Sequence, residues 1–155
     1  MRRSLLILTV FFAVGCLPGA EKPDLSGTWS VDLEKSNFGM MPPPTKLERR
    51  VSHQEPAFAV STVQVGSRGE RTTDVKCTTD NKECDIQVMG NPAKMTAKWD
   101  GGALVVTTKA SIQGTDILQV EKWSLSEDGK TLTTESSLTL PQGENKSKLV
   151  FKKTN

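Results

Sequence analysis

Strict two-residue alternation, repeated run after run with turn residues between, constrains this chain more than any other feature of its sequence. Ten runs qualify: 26–33, 46–53, 58–65, 71–78, 83–89, 93–99, 103–110, 116–125, 131–140 and 146–153. They are rich in Val, Thr, Leu and Ser, and no long helical period interrupts them. A strand turns successive side chains to opposite faces, so this pattern predicts half-buried β-strands. The separators are short. Asp100-Gly101-Gly102, Glu127-Asp128-Gly129 and Gln142-Gly143-Glu144 supply residues that tolerate positive φ, and Gly66 to Gly69 divide the third run from the fourth. Short hairpins make sequential strands neighbours. A sheet of that many strands tends to curl and close, which removes its aggregation-prone edges. The expected fold is all-β: one antiparallel up-and-down β-barrel of about eight to ten strands.

The long connection lies between the first two runs. Glu34 to Thr45 holds Ser36-Asn37-Phe38-Gly39 and then Met40-Met41-Pro42-Pro43-Pro44. Three prolines cannot donate to a ladder and favour an extended form. This reads as a strap or cap across one barrel end. A docking site for a proline-recognising partner is the sharper and weaker reading.

The first twenty residues read as a targeting segment. Arg2 and Arg3 precede the apolar run Leu5–Val14, broken only by Thr9, and small residues follow at Gly15, Cys16, Gly19 and Ala20. The run is too short to span a bilayer, which takes about 20 apolar residues. Export is therefore expected, to the periplasm or cell envelope or as a secreted protein, with 21–155 as the mature barrel domain; an uncleaved membrane anchor is the alternative. Two cleavage readings stay open. Ala13-Val14-Gly15-Cys16 resembles a bacterial lipobox, which would lipidate Cys16 and tether the protein to a membrane. Ordinary cleavage after Ala20 is the other.

Charge then narrows the partners. The chain has 20 basic and 18 acidic side chains, and removal of Arg2 and Arg3 with the segment leaves 18 of each. A balanced domain has no net attraction for phosphate, so nucleic acid is not an expected partner. Of three cysteines, Cys77 and Cys84 remain in the domain. An oxidising compartment favours pairing them. A symmetric hairpin centred on Asp80-Asn81 would set them directly opposite, whereas a bulged loop would offset them and leave two buried thiols. Zinc is not expected, because one cysteine pair and a single histidine make no four-ligand site.

Leu25-Ser26-Gly27-Thr28-Trp29 resembles the opening strand of the calycin group: lipocalins, fatty-acid-binding proteins and avidins. The resemblance implies that Trp29 plugs the closed end of an up-and-down barrel. Several marks of those families are missing. The chain has no tyrosine, so the lipocalin Thr-Asp-Tyr motif and the tyrosines with which avidins read biotin are absent. Lysines 146, 148, 152 and 153 stand where lipocalins place an arginine, and Pro42–Pro44 stand where fatty-acid-binding proteins insert a helical lid. Ser26-Gly27-Thr28-Trp29, Lys35-Ser36-Asn37-Phe38-Gly39, Pro42-Pro43-Pro44, Ala97-Lys98-Trp99-Asp100-Gly101 and Trp123–Lys130 are together similar to small exported bacterial proteins of lipocalin-like type. That likeness covers most of the domain and implies a fold without a defined activity.

Alternation gives an interior list. Gly27, Val31 and Leu33 share the face of Trp29. Leu47 and Val51 share theirs with Arg49 and His53; Val75 and Cys77 with Arg71 and Thr73; Trp123 and Leu125 with Gln119 and Glu121. Ala93, Met95, Ala97 and Trp99 form another set, as do Leu132, Leu138 and Leu140 with Thr134 and Ser136. Leu149 and Phe151 close the list. Arg49, His53, Arg71, Gln119 and Glu121 would then lie among apolar walls near Trp99 and Trp123. Three readings stay open. These residues line a cavity in which Arg49 or Arg71 holds a ligand carboxylate; Glu121 satisfies one arginine inside a filled barrel; or bulges turn the charges to water.

Catalysis is not expected. There is one histidine, His53, no nucleophile elbow and no phosphate-cradling glycine loop. Haem ligation by His53 is a minor reading, and no cofactor is expected. The expected function is binding or carrying a small, partly apolar or carboxylate ligand. The competing reading is a structural or interaction module with a filled interior.

Overall fold

The computed structural model describes residues 22–154. The targeting segment and Cys16 lie outside the described residues. Ten strands follow one another: β1 (Gly27–Val31), β2 (Lys46–Gln54), β3 (Ala57–Gly66), β4 (Gly69–Thr78), β5 (Cys84–Val88), β6 (Asn91–Asp100), β7 (Ala103–Ile112), β8 (Thr115–Leu125), β9 (Thr131–Leu140) and β10 (Gly143–Lys153). All pairings are antiparallel, and the hydrogen-bonded order is β4-β3-β2-β1-β10-β9-β8-β7-β6-β5. The meander thus closes through β1 and β10, where Trp29 faces Lys153 and Val31 faces Phe151. Among the described residues β4 and β5 form no ladder with each other, so the barrel is nearly closed, with one seam.

The turns follow from local chemistry. Gln113 and Gly114, between Ile112 and Thr115, both adopt positive φ (52° and 79°). That is a two-residue turn whose twist matches the flanking strands.

Two sequence expectations change. Cys77 and Cys84 are disulfide-bonded with Cα atoms 5.5 Å apart, but not across a hairpin. β5 pairs with β6, and the loop between the cysteines turns onto β6 instead: the Asn81 amide donates to the Ala97 carbonyl at 2.9 Å, and Asp80 bridges Lys98. Asn81, at φ 65°, supplies the left-handed residue of that loop. Leu33 leaves the Trp29 face. β1 ends at Val31, and Leu33 is exposed.

The strap is anchored along β10 through its first half. The Asp32 amide donates to Val150 O at 2.7 Å, and Asn37 exchanges backbone bonds with Lys148 at 2.7 and 2.8 Å. Gly39 (φ 64°) passes so close to β10 that a Cβ would collide with the Lys146 carbonyl and the Asn145 side chain. Pro44 is buried, whereas Pro42 and Pro43 are exposed.

The core fills one half of the barrel. Trp29, Phe151, Leu25, Leu104 and Leu132 are fully buried, with Val51, Phe58, Ala97 and Trp123 packed around them. All of these except Leu25 occupy inward positions near the end at which β1 begins and β10 finishes. Burying each large apolar side chain contributes about 1.5–3 kcal/mol. The Trp29 indole also donates to Leu25 O at 3.0 Å, which satisfies both groups inside the core.

Candidate functional site

Register sorts the barrel interior into levels. Deepest is the filled apolar half. Above it lies a polar belt, in which Arg49 faces Trp29 and Thr62, and Glu121 faces Val106 and Ser136. The two charged residues are 72 positions apart in sequence and meet across the barrel. Arg49 Nη2 donates to Glu121 Oε1 at 3.3 Å, with the side chains 11% and 16% exposed. Glu121 Oε2 accepts from the Trp123 indole, also at 3.3 Å. The guanidinium carbon stands 4.7 Å from the Trp123 ring centre and 5.0 Å from that of Phe151. Both rings present their negative faces to the cation. The internal pair among the three sequence readings is therefore present.

The pair is incompletely bonded. Arg49 Nε and Nη1 are buried without a hydrogen-bond partner, and so is Thr134 Oγ1. Thr134 lies opposite both Trp123 and Leu149 in the ladders, within the same part of the interior. Gln119 binds Ser136 Oγ at 3.2 Å.

Above the belt the interior opens. Inward-facing Thr108, Gln119 and Leu138, one level above Glu121, are only half-buried. Toward the open end an open-mouthed cavity of about 1190 Å³ is lined by inward-facing Ile86, Ala93, Ala110, Ile117 and Leu140 and, in greater number, by residues at outward-facing positions, Lys94, Lys109 and Leu118 among them. The first four form one row across the sheet: Ile86 faces Ala93, Ala93 faces Ala110, and Ala110 faces Ile117. Two adjacent alanines in that row leave space that larger side chains would fill. The cavity reaches across the seam to Asp74 and Lys76 of β4, and its border carries both charge signs.

None of Arg49, His53, Arg71, Gln119, Glu121, Trp99 and Trp123 lines that cavity. Arg49, Glu121, Gln119 and Trp123 come together in the belt. Arg71 keeps its inward register opposite Gln64 but stands exposed near the open end of β4.

His53 and Trp99 belong to a different cluster at the filled end, centred on Glu55. Its carboxylate Oε1 accepts from Trp99 Nε1 at 2.6 Å, Thr79 Oγ1 at 2.8 Å and His53 Nε2 at 2.9 Å; its Oε2 meets Lys22 Nζ at 3.1 Å. His53 Nδ1 accepts from the Leu25 amide at 3.3 Å, which leaves Nε2 as the protonated nitrogen. With both ring nitrogens engaged, the imidazole serves this cluster and offers no lone pair to a haem. Burial opposes ionisation of Glu55, but the bonds from His53, Trp99, Thr79 and Lys22 outweigh it and hold the carboxyl at about 2. Sequence reading missed Glu55 because it sits in the two-residue turn between β2 and β3, where no alternation pattern applies. Among the described residues no group of three or more His, Cys, Asp or Glu could hold a metal ion.

No family model matches the chain, and no curated protein matches it in sequence. Solved structures share its fold. A secretory abundant heat soluble protein from Ramazzottius varieornatus superposes with a TM-score of 0.65 at 14% identity, over 86% of this chain and 98% of that one. The zebrafish ileal bile acid-binding protein, complexed with cholic acid, gives 0.59 at 17% identity over 84% and 98%. The fatty-acid-binding protein of Manduca sexta gives 0.53 at 15% identity over 84% and 99%. At these identities the likeness is one of fold.

Proposed function

We propose that this chain binds and carries a small, partly apolar molecule inside its barrel and acts as a binding protein rather than an enzyme. The observation that carries the reading is the division of the interior. One half is packed around Trp29 and Phe151, while the other end opens on a cavity of about 1190 Å³ that the inward row Ile86, Ala93, Ala110 and Ile117 helps to line. Pockets of several hundred cubic ångströms with apolar lining and a few polar groups are the usual form of small-molecule sites. Two of the similar folds carry a bile acid or a fatty acid in their names, which supports the class of ligand. Export, with or without a lipid on Cys16, completes the reading and rests on the order of charge, apolar run and small residues over Arg2–Ala20.

A second reading, a non-enzymatic structural or interaction module, is favoured by the Arg49–Glu121 pair and the filled half. Two measurements separate them. Titration with N-phenyl-1-naphthylamine, a neutral fluorescent probe, is expected to saturate at one site per chain, and native mass spectrometry of gently purified protein to show a bound organic ligand. Absence of both would overturn the carrier reading and leave the module.

A further inference from the structure

The belt beneath the accessible half of the barrel has a charge balance that bears on the ligand. Arg49 supplies one positive charge, and Glu121 already neutralises it at 3.3 Å. A ligand carboxylate brought to Arg49 would add a second anion beside Glu121, in an interior that favours charge balance. The belt still has hydrogen-bonding capacity. Arg49 Nε and Nη1 and the Thr134 hydroxyl have no partner, and Thr134 is 1% exposed. A buried donor left unpaired costs about 1–3 kcal/mol, so an acceptor delivered there is favoured whether or not it is charged.

Inward-facing Gln119 and Leu138 lie between the cavity row and the pair, and both are half-buried. Ile117, on the cavity row, is four residues along β8 from Glu121, about 13 Å at the rise of a strand. An apolar chain lying along that wall would bring its end group to Arg49.

We infer that the ligand is an apolar chain ending in an uncharged hydrogen-bonding group, a hydroxyl or a carbonyl, seated against Arg49, and that Glu121 makes the site discriminate against carboxylates. This rests on the carrier reading above.

The test is competition against N-phenyl-1-naphthylamine in the full chain, with dodecanol, dodecanoate and dodecane as competitors. Dodecanol is expected to displace the probe at a concentration at least tenfold below that of dodecanoate, and below that of dodecane. Glu121→Gln removes the neutralising charge and is expected to reverse the order of alcohol and acid. Arg49→Met/Glu121→Leu is expected to abolish the advantage of dodecanol over dodecane while still binding the probe. Dodecanoate binding the wild type as well as dodecanol does would overturn the inference, as would an undiminished advantage of dodecanol in the double variant. Either result leaves the carrier reading standing. Failure of the probe to bind the wild type would remove the carrier reading itself, and this inference with it. If Glu121→Gln does not fold, the wild-type ranking and the double variant decide.

Discussion

Cys77 and Cys84 are bonded to each other across the seam where β4 and β5, as described, exchange no backbone ladder. The covalent link stands where hydrogen bonds hold every other pair of neighbouring strands. It ties the end of β4 to the start of β5, next to the filled half, and leaves the seam beside the cavity without a comparable tie.

Loss of that bond is expected to matter in proportion to the loop it closes. Cys77→Ser/Cys84→Ser should lower stability by about 2–3 kcal/mol, the chain-entropy value for so short a loop. Urea titration measures the loss. Hydrogen exchange should speed up in β5 more than in β9, because β5 is laddered on one side only. Uniform acceleration across both strands would contradict the placement of the seam.

The Arg49–Glu121 pair is expected to show the asymmetry of buried ions. Glu121→Leu alone leaves a cation uncompensated and should cost about 3–5 kcal/mol, whereas Arg49→Met/Glu121→Leu should lie much closer to wild type. A double-mutant cycle on urea midpoints measures the coupling. Additive effects would show that the two side chains do not depend on each other.

Glu55 gives the fold a pH dependence. Its carboxyl titrates at about 2 in the fold against an ordinary 4.5, so the unfolded chain takes up the proton first as pH falls. Its contribution is complete above pH 4.5, declines as pH falls from there, and is gone below about 2. Glu55→Gln should therefore be less stable than wild type at neutral pH, and the gap should narrow steadily between pH 4.5 and 2. A gap that stays constant over that range would show that the four donors do not favour the charged form.

Trp29 is expected to be among the most sensitive core positions. It is fully buried, and its indole satisfies Leu25 O. Trp29→Ala should cost about 3–5 kcal/mol. Trp29→Phe keeps much of the ring but leaves the Leu25 carbonyl unpaired, and should cost about 1–3 kcal/mol. Thermal unfolding checks both, and equal losses would mean that the indole bond contributes little.

The sequence determined the strands and their order, because both depend on information carried within a few residues. A two-residue period writes itself into every run of β-strand, and glycine, asparagine or proline lies in the turns that end most of them, for local steric reasons. Every strand end falls within two residues of where alternation puts it except the start of the last strand, which lies at Gly143, three residues early. The inward face followed too, wherever a strand was regular, as with Arg49, Val51 and His53. What those faces meet depends on contacts between distant strands. Arg49 and Glu121 were both legible as inward, but their pairing spans 72 residues and depends on how the barrel curls. Ala93 and Ala110 leave space only because their strands align in register. The seam depends on where closure stops, and the Glu55 cluster gathers side chains from the N-terminal segment, a turn, a loop and β6. Periodicity is a property of single strands; cavities, ion pairs and seams are properties of strands brought together.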